Sequence, residues 1–498
     1  MTKTTKSNTR KPLSPSSPKE TCIARLKDTS RPGIGFGSGR PVPAVERGRP
    51  ILLPDEAHIM TMAPTGAGKT VSCTVPTLLQ YPGPVIVLDP KGEHAAITAR
   101  RRRELGQQTF VLDPFGVTGL ATATFNPLDF VEPDTHEAPD EAAALAGMLM
   151  PPQFDNRDVF WRNRAMHFLT AAILHAVTDF PPGERNLATV RDIVHRMARM
   201  AVSRPTDTSG APQAPMTLRS RHPDVERINE IFALGASETV GGMLHTALEG
   251  IGFVRGLPVE ISLQDSSFSL DDVTEGVPMT IYLVVPPHLI PTHGVLLRLW
   301  LGTLFYALMR RRGRPSHATL LLLDEAAQLG PFAPLRTALT LLRGYGVQTW
   351  SFWQDPGQLA HLYPGDWRSM INNCRIVQFF GAHSQAAWGD FGGVIGADLH
   401  DFRRSEQDLM VVHQDGELLT ASRLDYRNEP TMRGQFDPNP IHQRLSGSLR
   451  RPKINFEIAT EEPMGAATGQ HTEDNFQSIV GSLKSLTQKE DPSASSGR

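Results

Sequence analysis

Cysteine is scarce: Cys22, Cys73 and Cys374 are the only three, widely separated and without a C-x-x-C pair. That excludes a disulfide framework and a cysteine zinc site, and it fits a reducing compartment. An excess of one charge is lacking as well. The 50 Lys and Arg residues face 52 Asp and Glu, a net charge of −2. A globally basic nucleic-acid coat is excluded, while a local basic channel is not. Nor is there an apolar run of the roughly 20 residues that a membrane span requires. The best stretch, Val295 to Met309, is shorter, contains Arg298 and runs into Arg310, Arg311 and Arg312. It predicts a buried helix whose basic end suits the negative pole of the helix dipole. With no apolar signal core at the N-terminus, the chain is expected to be soluble.

What is present is an ordinary globular balance, 40% hydrophobic and 20% charged over 498 residues, long enough for two or three domains. Residues 1–31 are rich in Ser, Thr, Pro and Lys and predict a flexible basic arm. Residues 445–498 predict a second flexible tail, and 203–215 a loop. Between the tails, short apolar runs recur at His58–Met62, Val85–Leu88, Phe110–Leu112, Thr280–Val285, Thr319–Leu323, Val347–Phe352 and Ile376–Phe379. Most are continuously apolar, as strands buried on both faces of a parallel sheet are. Helical stretches separate them, which is the α/β pattern. From 137 to 256 the strands vanish and apolar residues recur every three to four positions, the mark of an all-α insertion. The expected division is thus 32–136 and 257–444 as two parts of one nucleotide-binding domain, with 137–256 inserted.

The strongest motif is APTGAGKT, Ala63 to Thr70, after the apolar run HIMTM and before VSCTVPTLL. It is a P-loop with Ala in place of the first Gly. Gly66 and Gly68 let the backbone curl so that successive N–H groups face phosphate oxygens, with Pro64, Thr65 and Ala67 completing the cradle. Lys69 would reach the β- and γ-phosphates of ATP, and the Thr70 hydroxyl would ligate Mg²⁺. The run TLLLLDEAAQLG supplies the acids: Asp324 on the metal side and Glu325 to orient or deprotonate the attacking water. Both follow a strand, at the end where open α/β sheets bind ligands. Gln354, closing VQTWSFWQ, is either a γ-phosphate sensor or a loop glutamine. Arg375, at the start of a strand, is either an arginine finger for a neighbouring subunit or a strand-end charge. Asp89, Lys91 and Glu93 in VIVLDPKGE are a turn and helix start, with Asp89 close enough to the loop to support it. Arg100 to Arg103 are a solvated helix face or, alternatively, a DNA contact.

Taken in order, HIMTMAPTGAGKT, VIVLDPKGE, FVLDPF, FNPLDF, FWRNRAMHFL, PMTIYLVVPP, LLLLDEAAQLG and GYGVQTWSFWQDPGQL resemble the TraG-like, VirD-type coupling proteins of conjugative and type IV secretion systems. The resemblance runs from about Gly33 to Gly396. It implies a RecA-like P-loop ATPase with an all-α domain inserted, assembled as a homo-hexamer. Lys69, Thr70, Asp324, Glu325 and Gln354 match the family's nucleotide motifs, and Arg375 is its finger candidate. The implied duty is delivery of single- or double-stranded DNA, with a relaxase-type protein, to secretion-channel components. Such proteins typically begin with membrane helices, and none is legible in this chain. The location implied is cytoplasmic, peripheral at the bacterial inner membrane through channel partners. A nucleotide-gated adaptor for secreted proteins and a DNA pump unrelated to secretion are the alternatives.

Overall fold

Strands with apolar residues at every position need cover on both faces, and one sheet provides it. A computed structural model describes residues 21–26, 50–53, 57–150, 159–202, 217–234, 237–396, 399, 409–414 and 416–440. Most of the 1–31 arm, the 203–215 loop and the 445–498 tail lie outside the described residues. The strands are β1 (Cys22–Leu26), β2 (Pro50–Leu52), β3 (His58–Met62), β4 (Val85–Leu88), β5 (Gln108–Leu112), β6 (Met279–Leu283), β7 (Thr319–Leu323), β8 (Val347–Trp353), β9 (Cys374–Phe379), β10 (Leu409–Gln414) and β11 (Glu417–Ser422). They form an 11-stranded sheet in the order β2-β1-β11-β10-β9-β3-β8-β7-β4-β6-β5. From β9 to β5 every pairing is parallel; from β9 to β2 every pairing is antiparallel. The sheet is thus the largely parallel one that the apolar runs predict, extended by an antiparallel edge.

Alternate residues of the parallel strands face opposite cores. Met60, Met62, Ile86, Leu88, Leu321 and Leu323 join one apolar cluster, and Ile59, Val85, Val87, Leu320 and Leu322 the other. The helices α1 (Val75–Gln80) and α2 (Glu93–Glu104) follow β3 and β4. After β5 come α3 (Ala138–Leu149), α4 (Val159–Asp179), α5 (Leu187–Val202), α6 (Pro223–Leu234), α7 (Ser237–Ile251), α8 (Leu257–Ser262) and α9 (Leu270–Glu275), with no strand among the described residues before β6. Buried side chains of α3 to α7, such as Leu145, Phe168, Val190, Ile228 and Leu244, are continuous with the first cluster.

The apolar run of Val295–Met309 lies in α10 (Ile290–Met309), whose Leu297, Trp300, Leu304 and Phe305 are buried. Among the described residues no helix is long and apolar enough to cross a membrane. Arg311, just past the end of α10, is buried rather than merely placed for the dipole. It donates to the carbonyls of Val273 (3.0 Å), Thr274 (2.7 Å), Tyr345 (3.1 Å) and Gly346 (3.2 Å) and to Thr319 Oγ1 (2.7 Å). Four further helices follow among the described residues: α11 (Ala333–Leu341), α12 (Pro356–Leu362), α13 (Trp367–Asn372) and α14 (Gln385–Ile395).

One expectation is corrected. Residues 22–26 fall inside the segment expected to be a flexible arm, yet they form β1. Ile23 and Ala24 are buried, and β1 pairs with β2 and β11. Pairing on both sides offsets the ordering cost that the polar neighbourhood suggested would prevail.

Candidate nucleotide-binding site

The P-loop leaves the C-terminal end of β3 at Ala63, whose N–H donates to the Trp353 carbonyl at the end of β8 (2.9 Å). Gly66 and Gly68 take φ of +80° and +91°, the left-handed region that side chains disfavour, so the curl depends on glycine at both. Thr65 and Gly66 are exposed, while Pro64, Ala67, Gly68 and Thr70 are half-buried. The chain then enters a wide π-type turn over Thr70–Thr74 before α1. Wide turns of this kind recur at functional sites.

Lys69 is 8% exposed. Its Nζ donates to the Ala63 carbonyl at 2.7 Å and lies 3.6 Å from Glu325 Oε1. Gln354, just past β8, donates from Nε2 to Glu325 Oε2 at 3.3 Å. Three residues chosen from separate stretches of sequence therefore meet at the mouth of one loop. Glu325 has φ of +54°, the only non-glycine residue with positive φ among those described. Such a conformation costs on the order of 1–3 kcal/mol and persists where surrounding structure enforces it, often at a working site.

Asp324 is buried beside it. Oδ2 lies 3.6 Å from His94 Nε2, and Oδ1 has no hydrogen-bond partner among the described residues. Burial raises its carboxyl above the ordinary range; His94 opposes that and Glu325 adds to it. A buried, unpartnered carboxylate oxygen next to a threonine-bearing P-loop fits a hard divalent cation. Asp324 and the Thr70 hydroxyl are oxygen donors of the type Mg²⁺ takes, usually with water completing its shell.

His94 carries no role in the sequence-based expectations, though it directly follows DPKGE. Burial alone would lower its pKa, but Asp89, with the charges of Asp324 and Glu93, raises it to about 9. As a cation it donates from Nδ1 to Asp89 Oδ1 (2.8 Å) and from Nε2 to Thr74 Oγ1 (2.7 Å). Asp89 also accepts from the Ala95 N–H at 2.9 Å. Asp89 thus underpins the site through His94, whereas Lys91 is exposed and Glu93 accepts from Asn439 Nδ2 at 2.9 Å. Cys73 lies buried nearby with its thiol pushed up to about 12, so it is no nucleophile.

Arg375 is elsewhere. It is exposed at the start of β9, whose first residues pair with His58 and Ile59 at the start of β3. There it lines an open hollow of about 710 Å³ with Trp367, Arg368, Asn372 and His413. That hollow contains no P-loop residue, and size alone does not outweigh the converging chemistry at the other edge. A further residue that no local motif announced, Arg423 beyond β11, donates to the Ala67 carbonyl.

The family model described as type IV secretory system conjugative DNA transfer matches residues 14–388. The chain is 29% identical over 313 residues to the conjugal transfer protein TraG of Agrobacterium fabrum, covering 62% of this chain and 46% of that protein. It is 27% identical over 332 residues to the type IV secretion system-coupling protein VirD4 of Bartonella quintana, covering 65% and 50%. The chain thus spans about half the length of the curated relatives it matches. Among solved structures, the bacterial conjugative coupling protein TrwB is similar with a TM-score of 0.55 and 14% identity, covering 74% of this chain and 85% of that one. TrwB in complex with ADP and Mg²⁺ gives 0.53 and 13%, covering 74% and 85%. VirB4 of Thermoanaerobacter pseudethanolicus gives 0.51 and 13%, covering 83% and 98%. At such identities these structures speak for the fold.

Proposed function

Since this chain belongs to the type IV secretory system conjugative DNA transfer family, we propose that it is an ATP-hydrolysing coupling motor that delivers DNA, or a protein–DNA complex, to a type IV secretion channel. The observation that carries the hydrolytic part is the meeting of Lys69, Glu325 and Gln354 at the P-loop, with Glu325 held in a left-handed backbone. Lys69 exchanges its bond to the Ala63 carbonyl for the triphosphate, whose oxygens are the better acceptors. Glu325 accepts the proton of the attacking water as the water oxygen bonds to the γ-phosphorus and the bond to the β-phosphate oxygen breaks, leaving ADP and phosphate. Gln354 donates to Glu325 and so holds its carboxylate toward that water. Asp324 and Thr70 would hold Mg²⁺, which neutralises phosphate charge when bound. The relatives' names support conjugation and secretion as the setting. In this reading the subunits form a hexameric ring at the inner membrane beside channel partners.

The test is nucleotide binding and DNA-stimulated turnover in two variants. Lys69→Ala should lose productive ATP binding, because no other side chain in the loop supplies its charge. Glu325→Gln should keep binding and slow hydrolysis by about 10²–10⁴. Normal turnover in both would remove the site. Binding without any turnover in the unmodified chain would point instead to a nucleotide-gated adaptor.

A further inference from the structure

β11 ends at Ser422, and the next residue turns back onto the nucleotide loop. The Arg423 Nη1 donates to the Ala67 carbonyl, and the guanidinium lies over the Phe380 ring, 5.2 Å from its centroid. A β-carbon on Gly68 would meet the same Nη1 at 3.5 Å. Gly381 packs against Ala67 with φ of +74°, and a β-carbon on the glycine would stand 2.4 Å from that of Ala67. The middle of the loop is therefore held by residues just past the ends of β9 and β11.

Past Arg423 the chain runs against the P-loop helix and α2. The Tyr426 N–H donates to the Val71 carbonyl (3.4 Å), and the Asp437 N–H to the Ile97 carbonyl (2.9 Å). Leu424, Tyr426 and Met432 share a small apolar cluster with Val75, Leu79 and Ile97. All of this chain lies beyond residue 388, where the family match ends.

We propose that Arg423 is a positioning residue for nucleotide binding, fixing the P-loop through the Ala67 carbonyl and tying residues 424–437 to nucleotide occupancy. A loop with two glycines at positive φ has many conformations to lose when phosphate enters. A charged donor on the Ala67 carbonyl removes part of that freedom beforehand and, bonding to a carbonyl, leaves the N–H groups of the curl available. The guanidinium also adds positive potential two residues from Lys69, where a polyphosphate would sit. Arg423 is half-buried and stacked on Phe380, so its charge is screened less than that of a surface arginine. This inference rests on the reading of the loop as a nucleotide site.

The experiment measures the affinity of a fluorescent ATP analogue for the full chain, together with hydrogen exchange of residues 424–437. Four proteins are compared: unmodified, Arg423→Ala, Arg423→Lys and Lys69→Ala. Losing a hydrogen bond from a charged group should weaken binding by about tenfold or more in Arg423→Ala. Arg423→Lys should recover part of it, since lysine restores the charge but not the planar fork. Nucleotide should slow exchange at 424–437 in the unmodified chain, and much less in Arg423→Ala at an unchanged melting temperature. Affinity in both Arg423 variants equal to that of the unmodified chain, or exchange at 424–437 indifferent to nucleotide, overturns the inference and leaves the site standing. An unmodified chain that binds no nucleotide, or Lys69→Ala that binds as well as it, overturns both.

Discussion

His58 enters β3 with its ring out of water, 2% exposed. The Thr349 N–H donates to its Nδ1 at 3.1 Å, which leaves the proton on Nε2, an atom with no partner among the described residues. Burial, and then the charge of Arg343, push its pKa from 6.5 down to about 4. The unfolded chain therefore binds this proton first on acidification, so the contribution is intact above pH 6.5 and lost as pH falls toward 4. A shift of that size is worth up to about 3 kcal/mol. His58→Asn retains an acceptor for Thr349 but does not titrate. Urea unfolding at a series of pH values should show the unmodified chain losing ground to the variant between pH 6.5 and 4. A stability difference that stays constant with pH would mean that folding does not lower the His58 pKa. His94 has the opposite sign because the carboxylates of Asp89, Asp324 and Glu93 outweigh its burial, so one residue type answers two environments at the two ends of the parallel strands.

Helix α2 shows how an element can hide its purpose in sequence. Its four consecutive arginines suggest a solvated face or a DNA contact, but one of them is wholly buried. Arg102 donates from Nε to Thr280 Oγ1 (2.8 Å), from Nη1 to the carbonyls of Leu78 (3.1 Å) and Tyr81, and from Nη2 to the Gly83 carbonyl (2.8 Å). It pins the end of α1 and the turn before β4 to β6, while Arg100 pairs with Glu104 and Asp437. Arg102→Met would fill similar space but leave several carbonyls unmet at about 1–3 kcal/mol each. The expected result is a loss of several kcal/mol in thermal unfolding, with DNA affinity of the folded protein unchanged. A stable variant with lost DNA affinity would restore the contact reading. The parallel strands were legible because continuous apolar runs have one meaning in a two-faced sheet. The β10–β11 hairpin is absent from the expected strands, although Asp415-Gly416, between two apolar runs of the sequence, is a hairpin signal. Lys69, Asp324 and Glu325 were legible because their spacing is set by local loop geometry. Arg423 was not, because only the strand order brings the end of β11 near the end of β3.

Across the whole molecule, the sheet separates its two edges. Lys69, Asp324, Glu325 and Gln354 stand at the C-terminal ends of the strands. Arg375 stands at the other, a full five-residue strand away, which at about 3.3 Å per residue is well over 10 Å. Arg375 therefore cannot reach the nucleotide of its own chain, and any role as a finger must be played on a neighbouring copy. Other exposed arginines share that edge, among them Arg343, in the turn before β8, and Arg368 in α13. The prediction is that Arg375→Ala and Lys69→Ala chains are each inactive alone and regain part of their activity when mixed. In a mixed ring some interfaces pair an intact P-loop with an intact arginine. A finger contributes about 10³–10⁵ in turnover, so even a few restored interfaces should stand clear of background. Turnover per chain should also rise with protein concentration, since a shared site exists only in the assembly. Normal turnover of Arg375→Ala in an assembled ring would pass the role to Arg343 or Arg368, each testable by the same mixing. Activity independent of concentration in a monomer would rule out a shared site altogether, because no arginine on that edge can fold back to its own P-loop.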